Sequence, residues 1–446
     1  MSHSENSEAY KTVDHLFRQE SGKMVAVLTR IFGFSNIEQA EDIVQDTLLK
    51  ALEIWKWGKV PDHPQAWLYK VAKNKAIDLI RREKLKYKIE NELAILLQSE
   101  YTLSPKVNEL FSPGEIKDSQ LRMMFACCHP VLSHEAQITL MLKTLCGLSI
   151  REISNAFLTG EETITKRLFR IKEKLREEKI ALEYPGPGKM KARLDAVLKA
   201  LYLLFNEGYS SSHPVKLIRE DLCEEAMRLT ILLSENSKTN YPRTYALLAL
   251  MCYHASRFNA RLDENGMIVL LREQDRTQWN KFLIKKGNEY MSHAAEGDAY
   301  HDFHLEAAIA SIHANAASYD DTDWNMIREL YDSLLQRTNN PIVAMNRCLV
   351  IGELEGYEKA IEELLKMQEL LKTCHYHFSL GEMYFKSGNK TNAKIYFEKA
   401  LELTSSQAET ELIRRKLSCV YSEQFQQAEI KSPANFHSQG FKHAGI

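Results

Sequence analysis

Apolar positions along this chain recur three or four residues apart far more often than they alternate, which is the spacing of buried helix faces. Ala40, Val44, Leu48, Ala51 and Trp55 trace one such stripe, and Leu68, Val71, Ala72, Leu79 and Ile80 trace another. Ile164, Leu168, Ile171 and Leu175 fall at i, i+4, i+7 and i+11, one face of a third helix. Between 118 and 147, Leu121, Met124, Phe125 and Cys128 mark one packed helix, and Ile138, Met141, Leu142 and Leu145 another. A helix is also expected over 9–32, ending near Gly33, and a short one at 93–97. Prolines at 61, 64, 105, 113, 185 and 187 sit where the periodic runs break. The expected fold class is all-α.

The stretch 148–176 carries the clearest local design. Ser149 and Glu152 have capping-box spacing, with Ile153, Ala156 and Phe157 as a short apolar stripe behind them. Leu158-Thr159-Gly160 breaks the helix, and Thr159 to Glu162 repeats the capping spacing before the next one. Thr163, Lys166, Arg167, Arg170 and Lys174 lie mainly off that second helix's apolar stripe. A helix-turn-helix of this kind places residues near the start of its second helix against base edges in the DNA major groove. A surface hairpin with solvated lysines carries the same residues.

Upstream, the helix over 40–55 turns Asp42, Gln45, Asp46, Leu49 and Glu53 away from its stripe, an acidic face with a leucine in it. The proline-punctuated 58–65 segment reads as a loop. The helix over 66–84 then gathers Lys70, Lys73, Asn74, Ile77, Asp78 and Arg81 on the side opposite its core, with Trp67 and Tyr69 near its start as stacking surface. Cations beside an amide suit phosphate contacts and exposed bases.

The formal net charge of -2 confines any nucleic-acid footprint to local patches. The first residues are polar and lack the apolar core of a secretory signal, and no apolar run approaches the roughly 20 residues needed to span a bilayer, so a cytoplasmic protein is expected. The 8 cysteines form no CxxC pair, which suggests neither a zinc site nor a disulfide framework, and His129 reads as a helix-end residue. Glu207, Asp275, Arg276, Asp323, His301, His304 and His313 are polar candidates without a motif of chemical content, so no enzyme activity, metal or cofactor is expected. The QDRTQWN and DTDW segments read as helix caps, with Trp279 and Trp324 packed.

Beyond 185–188 the chain stays helical. Residues 375–403 match the two-helix tetratricopeptide pattern through Leu380, Gly381, Tyr384, Ala393, Phe397 and Ala400, with Gly388-Asn389 at the turn. His377 stands where tryptophan is typical, and Ser405 near the usual proline. Such a repeat needs stacked neighbours to bury its faces.

In their order, these features resemble the sigma-70 family of bacterial transcription initiation factors, specifically the extracytoplasmic-function type, in the group with a long helical, tetratricopeptide-like C-terminal extension. AEDIVQDTLLKALE and PQAWLYKVAKNKAIDLIRRE resemble region 2, and 119–176 resembles region 4. The resemblance implies region 2 over 8–88, a linker over 89–118, region 4 over 119–184, the extension over 189–420 and a flexible tail over 421–446. It implies core RNA polymerase and promoter DNA as partners, with a regulatory protein at the C-terminal domain as a further partner class. Asp42, Gln45, Asp46 and Leu49 would dock on polymerase. Trp67, Lys70, Lys73, Asn74, Arg81 and Arg82 would open and read the -10 element, with the 58–65 loop shaping a pocket for a flipped base. Thr163, Thr165, Lys166, Arg167 and Arg170 would contact the -35 duplex. A helix-turn-helix regulator with a helical sensory domain, or a helical-repeat scaffold, stands beside this reading.

Overall fold

A computed structural model describes residues 3–55, 60–83, 100–157, 159–210, 217–297, 300–404 and 406–431. The expected short helix at 93–97, residues 58 and 59 of the expected loop, Leu158, Ser405 and residues 432–446 of the expected tail lie outside them. The described residues are helical with short turns and no β-strand; one isolated bridge joins Leu262 and Ile268. The chain divides into two compact units, 1–255 with 285–299 and 256–284 with 300–446.

The first unit is arranged around α1 (His3–Phe32). Met24 to Leu28 are all buried, so the helix is apolar on every side there and must be surrounded. Around it pack α2 (Ile37–Trp55), α3 (Pro64–Glu83), α5 (Pro113–Cys127) and α6 (His134–Thr144), with α4 (Glu100–Leu110) against α3. Phe17, Trp55 and Trp67 form an aromatic chain with centroid spacings of 5.5 and 5.4 Å. Glycine is required at position 22. A β-carbon there would stand 1.9 Å from the Leu145 carbonyl oxygen, so α1 touches the end of α6 backbone to backbone.

Two short helices follow, α7 (Ile150–Ala156) and α8 (Glu161–Glu177). The expected capping box is present: the Ser149 amide donates to Glu152 Oε2 at 2.8 Å, and the Glu152 amide to Ser149 Oγ at 3.2 Å. The second cap differs, because Gly160 takes the N-cap position and no Thr159 side-chain bond is made. The α8 stripe of Ile164, Leu168, Ile171 and Leu175 is buried as expected.

α9 (Pro187–Tyr209), α10 (Glu220–Ser234), α11 (Pro242–Ala255) and the later part of α12 (Lys281–Ala294) complete this unit. α9 packs on α5 and α6, and α10 on α5, so these helices share a core with those before residue 184. Ala246 to Tyr253 are buried throughout, and Tyr253 Oη donates to Asn288 Oδ1 at 2.7 Å.

The second unit contains the irregular 256–280 segment and α13 (Asp302–Asn315), α14 (Trp324–Thr338), α15 (Pro341–Glu355), α16 (Tyr357–Leu364), α17 (Cys374–Lys386), α18 (Lys390–Leu403) and α19 (Gln407–Lys431). Successive helices pair, each pair burying its face on the next. In the α17–α18 hairpin Gly381 lets the Phe397 ring approach, and Asn389 caps α18. His377 fills the tryptophan position as a buried side chain whose Nε2 bonds the Leu371 carbonyl at 2.8 Å. α19 runs through 421–431, into the segment expected to be a flexible tail, and is anchored by buried Leu412, Ile413, Leu417 and Val420.

Candidate polymerase and nucleic-acid interface

Three helix faces of the first unit hold the candidate residues. On α2, burial of Ala40, Ile43, Val44, Thr47, Ala51 and Trp55 leaves Asp42, Gln45, Asp46 and Leu49 exposed in one patch. Leu49 is 58 % exposed, an apolar group beside acids on an open face. Asp46 is partly neutralised by Lys75 at 2.8 Å.

On α3, Lys70, Asn74, Arg81 and Arg82 are exposed and Lys73 is half-buried. Trp67 is half-buried against Trp55, leaving part of its ring at the surface. Two expectations fail. Ile77 is buried rather than on the open face, because α3 packs on α4 as well as on α1 and α2. Tyr69 is no stacking platform: its hydroxyl donates to Glu20 Oε2 at 2.5 Å, and burial together with that carboxylate pushes its pKa up.

On α8, Thr163, Thr165, Lys166 and Arg170 are exposed. Lys166 is paired along the helix with Glu162 at 2.7 Å. Arg167 is half-buried. It donates to Thr139 Oγ1 on α6 at 3.1 Å and lies 4.9 Å over the Phe157 ring, so it braces the hairpin instead of pointing fully outward. A cleft of about 490 Å³ runs between the start of α6 and α8, with Ser133, Ala136, Lys166, Arg170 and Lys174 among its walls. Residue reasoning missed Phe169, which is 61 % exposed on α8. Its only sequence signal was its position one residue off the apolar stripe, where a phenylalanine has no core to enter.

These faces are tied to one another. Lys172 of α8 bonds Glu41 of α2 at 2.8 Å, Arg176 pairs with Glu38, and Ser35 Oγ donates to the Leu175 carbonyl at 3.2 Å. A second cluster joins α1, α7 and α10. Arg18 reaches Asp221 at 2.5 Å and Glu152 at 3.1 Å, while Arg219 holds Asp221 at 2.8 Å and Glu152 at 3.0 Å. Burial alone would raise the Glu152 and Asp221 carboxyls. For Glu152 the Ser149 amide and Arg18, and for Asp221 the Arg219 and Arg18 guanidinium groups, outweigh it and hold both below the usual range.

Among the described residues no helix is long and apolar enough to cross a membrane, and no three His, Cys, Asp or Glu side chains converge as a metal site. His301 and His304 form the capping box of α13.

Comparison with known proteins adds identity to this geometry. Residues 16–85 match sigma-70 region 2, residues 193–295 match a family of unknown function (DUF6596), and residues 375–407 match the tetratricopeptide repeat. The uncharacterized protein R00370 of Rhizobium meliloti (strain 1021) is 33 % identical over 393 residues, spanning 87 % of this chain and 92 % of that protein. The region 2 match falls on α1 to α3 and the other two on the helices that follow, and with them the chain belongs to the sigma-70 family, as a member in which region 2 is continued by a long helical extension.

Proposed function

We propose that this protein is a sigma factor of the extracytoplasmic-function type that binds core RNA polymerase and directs promoter-specific initiation from the cytoplasm. The observation that carries the reading is the sigma-70 region 2 match over a helix pair whose acidic, leucine-bearing face and basic face are both open. Asp42, Gln45, Asp46 and Leu49 dock the factor on polymerase. Lys70, Lys73, Asn74, Arg81 and Arg82 take the -10 region, with the exposed edge of Trp67 against an unstacked base. The α7–α8 pair acts as the helix-turn-helix of region 4, a module over 119–184 that follows the linker at 89–118. Thr163, Thr165, Lys166 and Arg170 meet the -35 duplex, and Arg167 holds the motif rigid. The mechanism is binding and strand capture, with no covalent step. The isolated factor binds DNA weakly, since its cations are few and several are already paired.

The extension over 189–420 acts in cis as a regulatory domain. Promoter elements named -10 and -35 lie about 25 base pairs apart, or ~85 Å at 3.4 Å per pair. A protein whose α8 is bonded to α2 cannot span that distance, so this is a closed form, and the Arg219–Asp221 arm of the extension fastens it. Promoter-dependent initiation with purified core polymerase tests the reading. Factor-dependent transcripts and a complex with core support it; absence of both across a range of genomic promoters refutes it.

A further inference from the structure

The function proposed above leaves one cluster of the second unit unused. Arg276 and Trp279 leave the irregular 256–280 segment together, and the Arg276 guanidinium lies 4.7 Å over the Trp279 ring. Arg257 lies over the same ring at 5.8 Å. Arg276 Nη1 donates to the His313 carbonyl at 2.6 Å and to the Ala316 carbonyl at 2.7 Å, which closes the C-terminal end of α13.

Capping that helix end accounts for one guanidinium nitrogen. It does not account for Arg276 Nη2, Trp279 Nε1 or His313 Nδ1, three buried polar atoms with no hydrogen-bond partner among the described residues. Trp279 is only 2 % exposed, so water does not readily serve its indole N–H. Buried donors without acceptors are rare and unfavourable, and Arg276 connects these three, its guanidinium over the Trp279 ring and bonded to the His313 carbonyl, so they call for a common acceptor.

The local charge gives that acceptor its sign. Burial, then Arg257 and Arg276, push His313 down to about 4, so the imidazole is neutral at pH 7 and can donate from one nitrogen. Asp275, the acid next in sequence to Arg276, is turned away to cap its own turn through Thr277 at 2.9 Å. Asp321 is the carboxylate whose field reaches Arg276. A guanidinium fork beside N–H donors is matched by the planar or tetrahedral oxygens of a small anion.

We propose that Arg276, Trp279 and His313, with Arg257 across the indole, form a binding site for the carboxylate or phosphate group of a small molecule. The site sits in the second unit and uses no residue assigned to polymerase or DNA, and its occupancy is read without transcription. It therefore stands or falls separately from the sigma-factor reading.

The test uses the full-length chain, titrated with inorganic phosphate and, in parallel, with malonate, against chloride at matched ionic strength. Thermal stability and tryptophan emission are followed. Saturable stabilisation by one probe beyond chloride is expected, and the tighter probe assigns the group as phosphate or carboxylate. Trp279→Phe keeps the ring and removes the donor, and should weaken binding about tenfold or more, the worth of a hydrogen bond to a charged group. Arg276→Gln should abolish it; if that variant does not fold, Trp279→Phe and His313→Phe decide. No saturable response to either probe at ten times a ~1 mM dissociation constant overturns the site. Binding unchanged in Trp279→Phe and His313→Phe also overturns it.

Discussion

Replacing Arg219 with alanine should loosen the closed form of the first unit. Arg219 is 12 % exposed and donates three bonds, to Asp221 Oδ1 at 2.9 Å, Asp221 Oδ2 at 2.8 Å and Glu152 Oε1 at 3.0 Å. A hydrogen bond to a charged group contributes about 1.5–3 kcal/mol when well buried, and an exposed pair less than about 1 kcal/mol. The two bonds to Asp221 lie within the extension and persist on opening, so only the bond to partly exposed Glu152, which keeps Arg18, bears on the closed form, about 1 kcal/mol. That shifts the ratio of closed to open forms about fivefold. Distance labels at exposed Glu53 of α2 and Glu173 of α8, read by energy transfer in the full-length protein, should report a new long-distance population. Affinity for core polymerase should rise with it. An unchanged distance distribution together with unchanged core affinity would refute the fastening role given to the extension.

Other outcomes follow from the same structure. Arg170→Ala should lower initiation at -35-dependent promoters while leaving core affinity nearly intact; equal loss of both would remove Arg170 from the DNA face. Phe169→Ala should change stability by less than about 0.5 kcal/mol, because the ring is exposed, yet reduce promoter-dependent transcription if the ring meets DNA, as a filter-binding and denaturation pair would reveal. Gly22→Ala should destabilise the first unit by about 1–3 kcal/mol or more in urea titration, since the added carbon meets a backbone carbonyl that has no room to yield. The Glu152 and Asp221 carboxyls are depressed in the folded state, so their stabilisation is complete above about pH 5 and is lost as pH falls through the folded values. Salt-matched melting curves at pH 7 and pH 3 check the sign. Iodoacetamide at neutral pH should label Cys419 first, because Cys419 is exposed while burial raises the Cys127 and Cys252 thiols to about 12.

The helix stripes were legible because periodicity reports burial directly. Ile164, Leu168, Ile171 and Leu175 are buried together, and so are Ala40, Val44, Ala51 and Trp55. The open residues of α2 followed by subtraction. What the stripe could not reveal was a second packing partner: α3 touches α4 as well as α1, so Ile77 is buried on the side that the pattern assigns to solvent. Arg167 and Tyr69 have polar groups suited to an outer face, but each finds an acceptor on another helix, Thr139 and Glu20. Spacing along one helix carries no information about such partners. The Arg18–Asp221 pair joins residues 203 positions apart, and the orphaned donors around Trp279 need three-dimensional accounting before they stand out.

The order in which the first unit is made has a consequence for the living cell. Its helices up to Glu177 leave the ribosome early, but the segment 285–299 that covers Tyr253 arrives only after the 256–284 excursion has been synthesised. At ~5–20 residues per second, the interval from Glu177 to residue 299 lasts ~6–24 s. During that time the nascent chain presents its sigma helices before the unit around them is finished. Arg219, which bonds Glu152 of α7, emerges about a third of the way through the interval. Translation thus makes α1 to α8 first, Arg219 next, and the last covering helix of that unit only at the end.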